Sequence, residues 1–428
     1  MRLTSTRTPG LAATFLEAVQ AGLAPDGGLF LPVDLPRFAD GPELLALDFQ
    51  TRSTEILHRL LAGEFTRPDL AALTRSAFTF PAPLVPVQVP GQALVSALEL
   101  FHGPTLAFKD FGARFLARVL AHAADGRLRT VLTATSGDTG AAVASAFHGL
   151  PGVRVVVLYP AGRVSPLQER QFATCGGNVL ALAVEGAFDD CQRLVKGAFE
   201  DPDLTARLDL TSANSINIAR LLAQTLYYFE AAAQAERGAP LVVSVPSGNF
   251  GNLCAGLMAQ AMGAPIHAFV AATNANRVVP DYLDTGEYRP RASVATLSNA
   301  MDVGAPSNWE RISARFRGDH DAMAAALRWG SCTDVETERT VIELDRAGYL
   351  ADPHGAVACH VLRAQLRKGE QGVFLATAHP AKFREALAPA LGRDIPLPAA
   401  LSALLHLPLL SERLAAEPSA LRRRLLAD

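Results

Sequence analysis

Thr130-Val131-Leu132-Thr133-Ala134-Thr135 is a short β-type run. Ser136-Gly137-Asp138-Thr139-Gly140 follows it directly and leads into an alanine-rich stretch that reads as a helix. A buried strand that ends in a glycine-containing loop and passes straight into a helix is the repeating unit of a parallel sheet. The unit recurs on both sides. Val153–Tyr159 precedes a helix that begins after Ser165-Pro166, and Val179–Val184 precedes a helix over Asp189–Phe199. Leu241–Val245 leads through Ser247-Gly248-Asn249-Phe250-Gly251-Asn252 into a helix that runs through Met262. A longer helix covers Ile216–Ala233, and Thr333–Ala347 and Ala356–Leu366 are helical. Ile266–Ala271 and Val373–Thr377 are further strands, and a last helix starts near Pro380. These strands are continuously apolar rather than alternating, so helices must cover both faces of the sheets. The fold class is α/β, with its loops at the carboxyl edge, where such sheets bind ligands.

Upstream the pattern changes. Residues 1–80 hold short apolar segments, the turn signal Pro25-Asp26-Gly27-Gly28, and helical periodicity at Thr54–Ala62 and Asp69–Ala77. The proline-rich Phe80–Pro86 reads as a linker that closes an N-terminal module. A chain of 428 residues has room for two or three domains.

Composition excludes several classes. The net charge is −3, with 42 acidic against 39 basic residues, which gives no electrostatic case for nucleic acid or an anionic membrane. No apolar run reaches the roughly 18 residues of a membrane helix, and the first residues lack the marks of a signal peptide. Five cysteines, none in a CxxC pair, indicate neither a disulfide framework nor a zinc site. No metal is expected, and the thiols suit a reducing cytoplasm. Of the 39 basic residues 35 are arginine, and the four lysines are Lys109, Lys196, Lys368 and Lys382. A chain that so consistently chooses guanidinium for charge raises the question of what its few amines do.

Five segments carry candidate chemistry. In Glu99–Phe111, Lys109 stands between Phe108 and Phe111 at the start of an amphipathic helix. Apolar surroundings lower an amine's pKa and make it nucleophilic, as a Schiff-base lysine requires; a lysine snorkelling from a helix start is the alternative. Ser247–Asn252 has two glycines and a following helix N-terminus, which suits an anion nest or an ordinary turn. It is neither a Walker loop nor a dinucleotide fingerprint. Thr135–Gly140 is placed to hold a carboxylate, though N-cap chemistry explains it equally. Ser212-Ala213-Asn214-Ser215-Ile216-Asn217, with Arg220 one turn on, suits a phosphate ester or a capped helix with a surface arginine. In Ala376–Phe383, Thr377 ends a buried strand, His379 reads as structural, and Lys382 lies in a first helical turn that disfavours a cation unless an anion is near.

Together, HGPTLAFKD, TSGDTGAA, SANSIN, PSGNFGN and TAHPAKF, in this order and spacing, resemble the threonine synthase family in its bacterial form with an N-terminal module. The likeness runs from Ser5-Thr6-Arg7 and Gly22–Leu29 to about residue 415. It implies the pyridoxal-phosphate fold of tryptophan synthase β (fold type II), two α/β domains with the cofactor between them. The implied domains are residues 1–80 as the module, 81–106 with 215–428 as the large domain, and 107–214 as the small one. By resemblance, Lys109 carries pyridoxal 5'-phosphate, and Gly248, Asn249, Phe250, Gly251 and Asn252 take its phosphate. Thr377 meets its ring nitrogen. Ser136, Gly137, Asp138 and Thr139 hold the substrate carboxylate. Asn214, Ser215, Asn217 and Arg220, with Lys382 as a further candidate, meet the substrate phosphate. The implied reaction turns O-phospho-L-homoserine and water into L-threonine and phosphate. The freed Lys109 amine moves the α proton, and phosphate leaves Cγ before water adds at Cβ. A serine or threonine dehydratase or a phospholyase of the same fold would use the same lysine and nest. No obligate protein partner is evident.

Overall fold

The β-type run at Thr130–Thr135 forms a strand over Arg129–Ala134 that is buried along its whole length. Val131 points into one core with Phe147 and Val157, while Leu132 and Ala134 point into another with Leu182 and Leu194. A strand with an apolar core on each face has no polar side, which is why its sequence does not alternate.

The computed structural model describes residues 1–88, 91 and 94–427. Its strands are β1 Leu3–Ser5, β2 Phe30–Pro32, β3 Leu84–Pro86, β4 Val95–Glu99, β5 Arg129–Ala134, β6 Val153–Pro160, β7 Val179–Glu185, β8 Leu210–Ser212, β9 Leu241–Pro246, β10 Ala268–Thr273, β11 Leu327–Ser331, β12 Gln371–Ala376 and β13 Glu412–Ala415. One sheet has the order β13-β7-β6-β5-β8 and is parallel throughout. The other has the order β11-β10-β9-β12-β4-β3 and is parallel except for β3. β1 and β2 form a separate antiparallel pair.

The structure departs from the sequence reading in four places. The tail does not stay with the six-stranded sheet, as the 215–428 assignment expected. β13 pairs with β7, and Leu414, Leu421 and Leu425 complete the core over Leu182 and Leu194. The proline-rich linker contains β3, an edge strand, the one place in a sheet where proline's missing N–H costs nothing. β4 also escaped notice, because five residues with a serine and a glutamate carry little β signal. The helix after Pro380 begins as a 3-10 turn, Pro380–Phe383, before Arg384–Leu391.

The N-terminal module is built from capped helices. Thr14 with Glu17, and Thr66 with Asp69, form reciprocal capping boxes, and Asp48 caps Phe49–Leu61. Its aromatics Phe49, Phe78 and Phe80 surround Phe111, two residues beyond Lys109, with ring centroids 4.9–6.1 Å away. The module therefore shares a core with the helix Lys109–His122. Among the described residues no helix is long and apolar enough to cross a membrane.

Candidate active site

Three loops leave the carboxyl edge of the six-stranded sheet at adjacent strands. β4 pairs with β12 and β12 with β9. The chain beyond β4 turns into the Lys109 helix, the chain beyond β12 carries Thr377, and the chain beyond β9 is Ser247–Asn252. The first two are clamped together. Phe108 N–H donates to the Thr377 carbonyl at 2.8 Å, His379 N–H to the Leu106 carbonyl at 3.0 Å, and Ala107 bridges Ala378. Leu106 has φ 59°, a left-handed conformation that a branched side chain adopts only when its surroundings enforce it.

Lys109 is the first residue of its helix, where the macrodipole opposes a cation. Its side chain is 14% exposed, its Nζ lies 5.4 Å over the Phe108 ring, and Asp138 Oδ2 is 3.8 Å away. Burial pulls its pKa down to about 8, and nearby Lys382 and Arg220 add to that effect, while Asp138 and Asp352 oppose it.

Asp138 opens the helix after β5 and is buried. Its Oδ1 takes Lys382 Nζ at 2.6 Å and Gln168 Nε2 at 2.9 Å. Desolvation pushes this carboxyl up, but the two lysine charges outweigh it and hold it well below the usual range. Expected among the groups that meet a substrate carboxylate, Asp138 is instead an anion already committed to amines, and a second carboxylate would be repelled by it. The loop's hydroxyls, Ser136 and Thr139, are half-buried, and Gly137 is buried with φ 141°. A Cβ on Gly137 would stand 2.7 Å from the Gln168 amide, so glycine is what lets Gln168 reach Asp138.

The turn after β9 is a narrow cradle. A Cβ on Gly248 would lie 2.5 Å from Met301 Cα. Phe250 is left-handed at φ 59° and the helix begins at Gly251. Asn249 spans to Ser215 Oγ at 2.9 Å and accepts from Ser307 N–H at 2.5 Å. Asn252 Oδ1 accepts from the phenols of Tyr227, at 2.5 Å, and Tyr228, at 2.7 Å. Burial keeps both phenols well above their usual pKa, so both donate and fix which end of the amide is oxygen. The Asn252 Nδ2 donor is left buried without a partner.

The loop after β8 divides. Ser215 Oγ accepts from Asn249 and Asn308, which leaves its own hydrogen to donate. Arg220 is 2% exposed, not the surface arginine that was the alternative. It gives Nη1 to the Ala213 carbonyl at 2.7 Å and leaves Nε buried and unpartnered. Asn214 and Asn217, expected with them, are spent on structure. Asn214 donates to the Ala134 carbonyl and accepts from Thr133 Oγ1. Asn217 donates to the Val19 and Ser212 carbonyls and caps Ala219 N–H. An amide whose two ends are both bonded within the chain has little left for a ligand.

Sequence reasoning missed Gln168, Asn308, Arg311 and the pair Asp352–His354. Arg311, 1% exposed, bonds the Phe30 carbonyl at 2.9 Å, the Ser215 carbonyl at 3.2 Å, Asn308 Oδ1 at 2.6 Å and the Ile216 carbonyl. It therefore rivets the N-terminal module to the Ser215 loop. Asp352 Oδ2 lies 2.6 Å from His354 Nδ1, and the ring rests on Phe383 with its Nε2 buried and unpartnered. Asp352-Pro353-His354-Gly355, a helix cap followed by proline, was the one local signal available. His379 has the structural part expected of it, capping Ala381 N–H through Nδ1. Away from these loops, Cys332, Glu336 and His360 bring ligand atoms within 4.8 Å of one another. There Glu336 is occupied by the Thr333 cap and burial raises the thiol to about 11, which disfavours the thiolate a metal would need.

An enclosed amine, a glycine cradle at the same sheet edge, and unpartnered donors at Asn252 Nδ2 and Arg220 Nε suit a small molecule with an aldehyde and an anionic group. Pyridoxal phosphate has both, so the residues present fit it. Fold and site define a pyridoxal-phosphate dependent enzyme, and residues 76–378 match the family model of that description. Residues 2–78 match "Threonine synthase N terminus" and 355–424 "Threonine synthase, C-terminal". The chain is 51% identical to threonine synthase of Escherichia coli K12, covering 100% of this chain and 99% of that protein. The crystal structure of threonine synthase from Escherichia coli superimposes with a TM-score of 0.94 at 50% identity, covering 100% of both chains. Pyridoxal-phosphate-bound threonine synthase from Brucella melitensis superimposes at 0.90 with 37% identity, over 99% of this chain and 98% of that one. The chain belongs to the threonine synthase family.

Proposed function

We propose that the chain converts O-phospho-L-homoserine and water into L-threonine and phosphate with pyridoxal 5'-phosphate as cofactor, as the last step of threonine biosynthesis. One observation carries this reading: an enclosed amine, lowered to about 8, that shares its carboxylate with a second buried amine, on a sheet edge that also carries the glycine cradle. The five free thiols suit a reducing cytoplasm.

When bound, the cofactor supplies an aldehyde that condenses with amines and a ring that draws electrons from Cα. The remaining work is done by the chain. Lys109 would hold the cofactor, and its amine, when free, would take and return protons at Cα and its neighbours, within reach because its helix is fixed. Backbone N–H groups of Gly248, Asn249, Phe250 and Gly251, with Asn252 Nδ2, hold the cofactor phosphate at a helix start. The Thr377 hydroxyl would meet the ring nitrogen. Ser136, Gly137 and Thr139 meet the substrate carboxylate, and Ser215 with Arg220 meets its phosphate and steadies it as it leaves. Asn214 and Asn217 support that loop from behind. In domain terms, residues 1–80 form the module, 81–106 with 215–411 the larger α/β unit, and 107–214 with 412–427 the smaller.

The test is the product. Purified protein given the cofactor and phosphohomoserine should release threonine and inorganic phosphate in equal amounts. Ammonia with a keto acid would contradict the proposal and indicate a dehydratase or phospholyase.

A further inference from the structure

Two of the four lysines are solvent-facing: Lys368 is exposed, and Lys196 pairs loosely with Glu200 at 3.6 Å. The other two lie on either side of one carboxylate. Lys382, whose side chain is 0% exposed, has no part in the steps above, yet it is locked in place more tightly than Lys109. Its Nζ sits 2.6 Å from Asp138 Oδ1 and donates to the Thr105 carbonyl at 2.8 Å. Thr105 is anchored in turn, giving its N–H and hydroxyl to Asp110 at 2.8 and 2.7 Å, and its carbonyl also receives Gln171. Gln168 pins the same Asp138 oxygen, and its own Oε1 accepts from Ser165.

We propose that Lys382 is a positioning residue for the reaction: by holding Asp138 in a tight ion pair it keeps that carboxylate from closing on Lys109, so the Lys109 amine stays available as nucleophile and base. The geometry is asymmetric in the required sense. Asp138 meets Lys382 at 2.6 Å but stands off Lys109 at 3.8 Å, beyond a charge-assisted hydrogen bond. Asp138 nevertheless neutralises the pocket, since without it two amines would face each other in an enclosed space. An arginine could not take the place of Lys382, because a planar fork does not fit where a compact amine is wholly enclosed. Four groups from four elements act on Lys109: Asp138 from the helix after β5, Lys382 from the turn after Thr377, Arg220 from the helix Ile218–Gln234, and Asp352 ahead of Pro353–Gln365.

The inference rests on Lys109 being the reactive amine. Its test therefore uses the full chain freed of cofactor, where the outcome does not depend on which substrate is turned over. The pH dependence of Lys109 acetylation by acetic anhydride, read by mass spectrometry, gives the midpoint of the amine. K382M should raise that midpoint by about one pH unit or more, because the freed carboxylate closes on Lys109 and a repelling charge is lost. D138N should lower it, and the double variant should return towards the parent. Q168L, which loosens the same tether without removing a charge, should move the midpoint upwards by less and serves if K382M does not fold. In the loaded enzyme the acidic limb of the kcat profile, which reports the substrate-bound state where the Lys109 amine is free, should shift in the same directions. Shifts of the same sign in K382M and D138N, or no shift in K382M and Q168L, would overturn the proposal.

Discussion

The phenol of Tyr227 donates to Asn252 Oδ1 across 2.5 Å, and its ring lies 5.3 Å from that of Phe111. One side chain thus ties the helix of Lys109 to the turn that cradles an anion. Removing the hydroxyl leaves Tyr228 as the only phenol on that oxygen. Tyr227→Phe should weaken cofactor binding by about fivefold, the value of one lost hydrogen bond. The Y227F/Y228F pair should weaken it further by leaving the Asn252 amide free to turn over. Titration of cofactor-free protein with pyridoxal phosphate measures both, and equal affinity in parent and double variant would remove Asn252 from the cradle.

Gly248 has no room for a side chain. A Cβ would stand 2.5 Å from Met301 Cα and 3.0 Å from its carbonyl carbon and oxygen, which are backbone atoms that cannot step aside. Gly248→Ala should cost about 2–4 kcal/mol of stability and loosen the cofactor as the turn widens. Urea unfolding with and without cofactor measures both effects.

Arg311 makes the module part of the site. Arg311→Met strands the carbonyls of Phe30, Ser215 and Ile216 together with Asn308 Oδ1. The expected cost is about 3 kcal/mol or more, with a rise in KM for phosphohomoserine because Ser215 loses its support. Arg311→Lys should not rescue either property, since one amine cannot serve four acceptors in a plane. Unfolding curves and steady-state kinetics on the three proteins decide this.

Asp110 gives the fold a pH signature. Burial raises its carboxyl to about 6, against the hydrogen bonds from Thr105. The folded chain therefore binds this proton more tightly than the unfolded one, whose aspartate titrates near ~4. The resulting stability is full below about pH 4 and is lost as pH rises through about 6, a change on the order of 2–3 kcal/mol. Glu230 and Asp302 are also raised by burial, so the Asp110 share is the difference between parent and Asp110→Asn. That difference should vary between pH 4 and 7 and stay flat above it. The low-lying Asp138 acts below this window.

The sequence announced the sheets where a long apolar strand was buried on both faces, as in Val153–Pro160 and Leu241–Pro246. It was silent on β3, β4 and β13, which are three to five residues long or lie at an edge, where little apolar area is buried. The tail's return to β7 is a long-range pairing that no local pattern encodes. In the site, Lys109 stood out because the chain is so poor in lysine, and the glycines of 248 and 251 marked a turn. Polar residue type alone did not reveal the partners that Asn214, Asn217 and Asp138 have within the chain, because it does not say whether an amide or carboxylate faces a ligand or its own protein. Arg311 and Gln168 gave no sign, since their importance comes from partners far away in the chain.

The proposed chemistry depends most on which amine joins the cofactor. Holoenzyme reduced with borohydride, digested and mapped by mass spectrometry should carry the pyridoxyl group on Lys109 alone. The group on Lys382, the other amine held by Asp138, or on exposed Lys196 or Lys368, would contradict it.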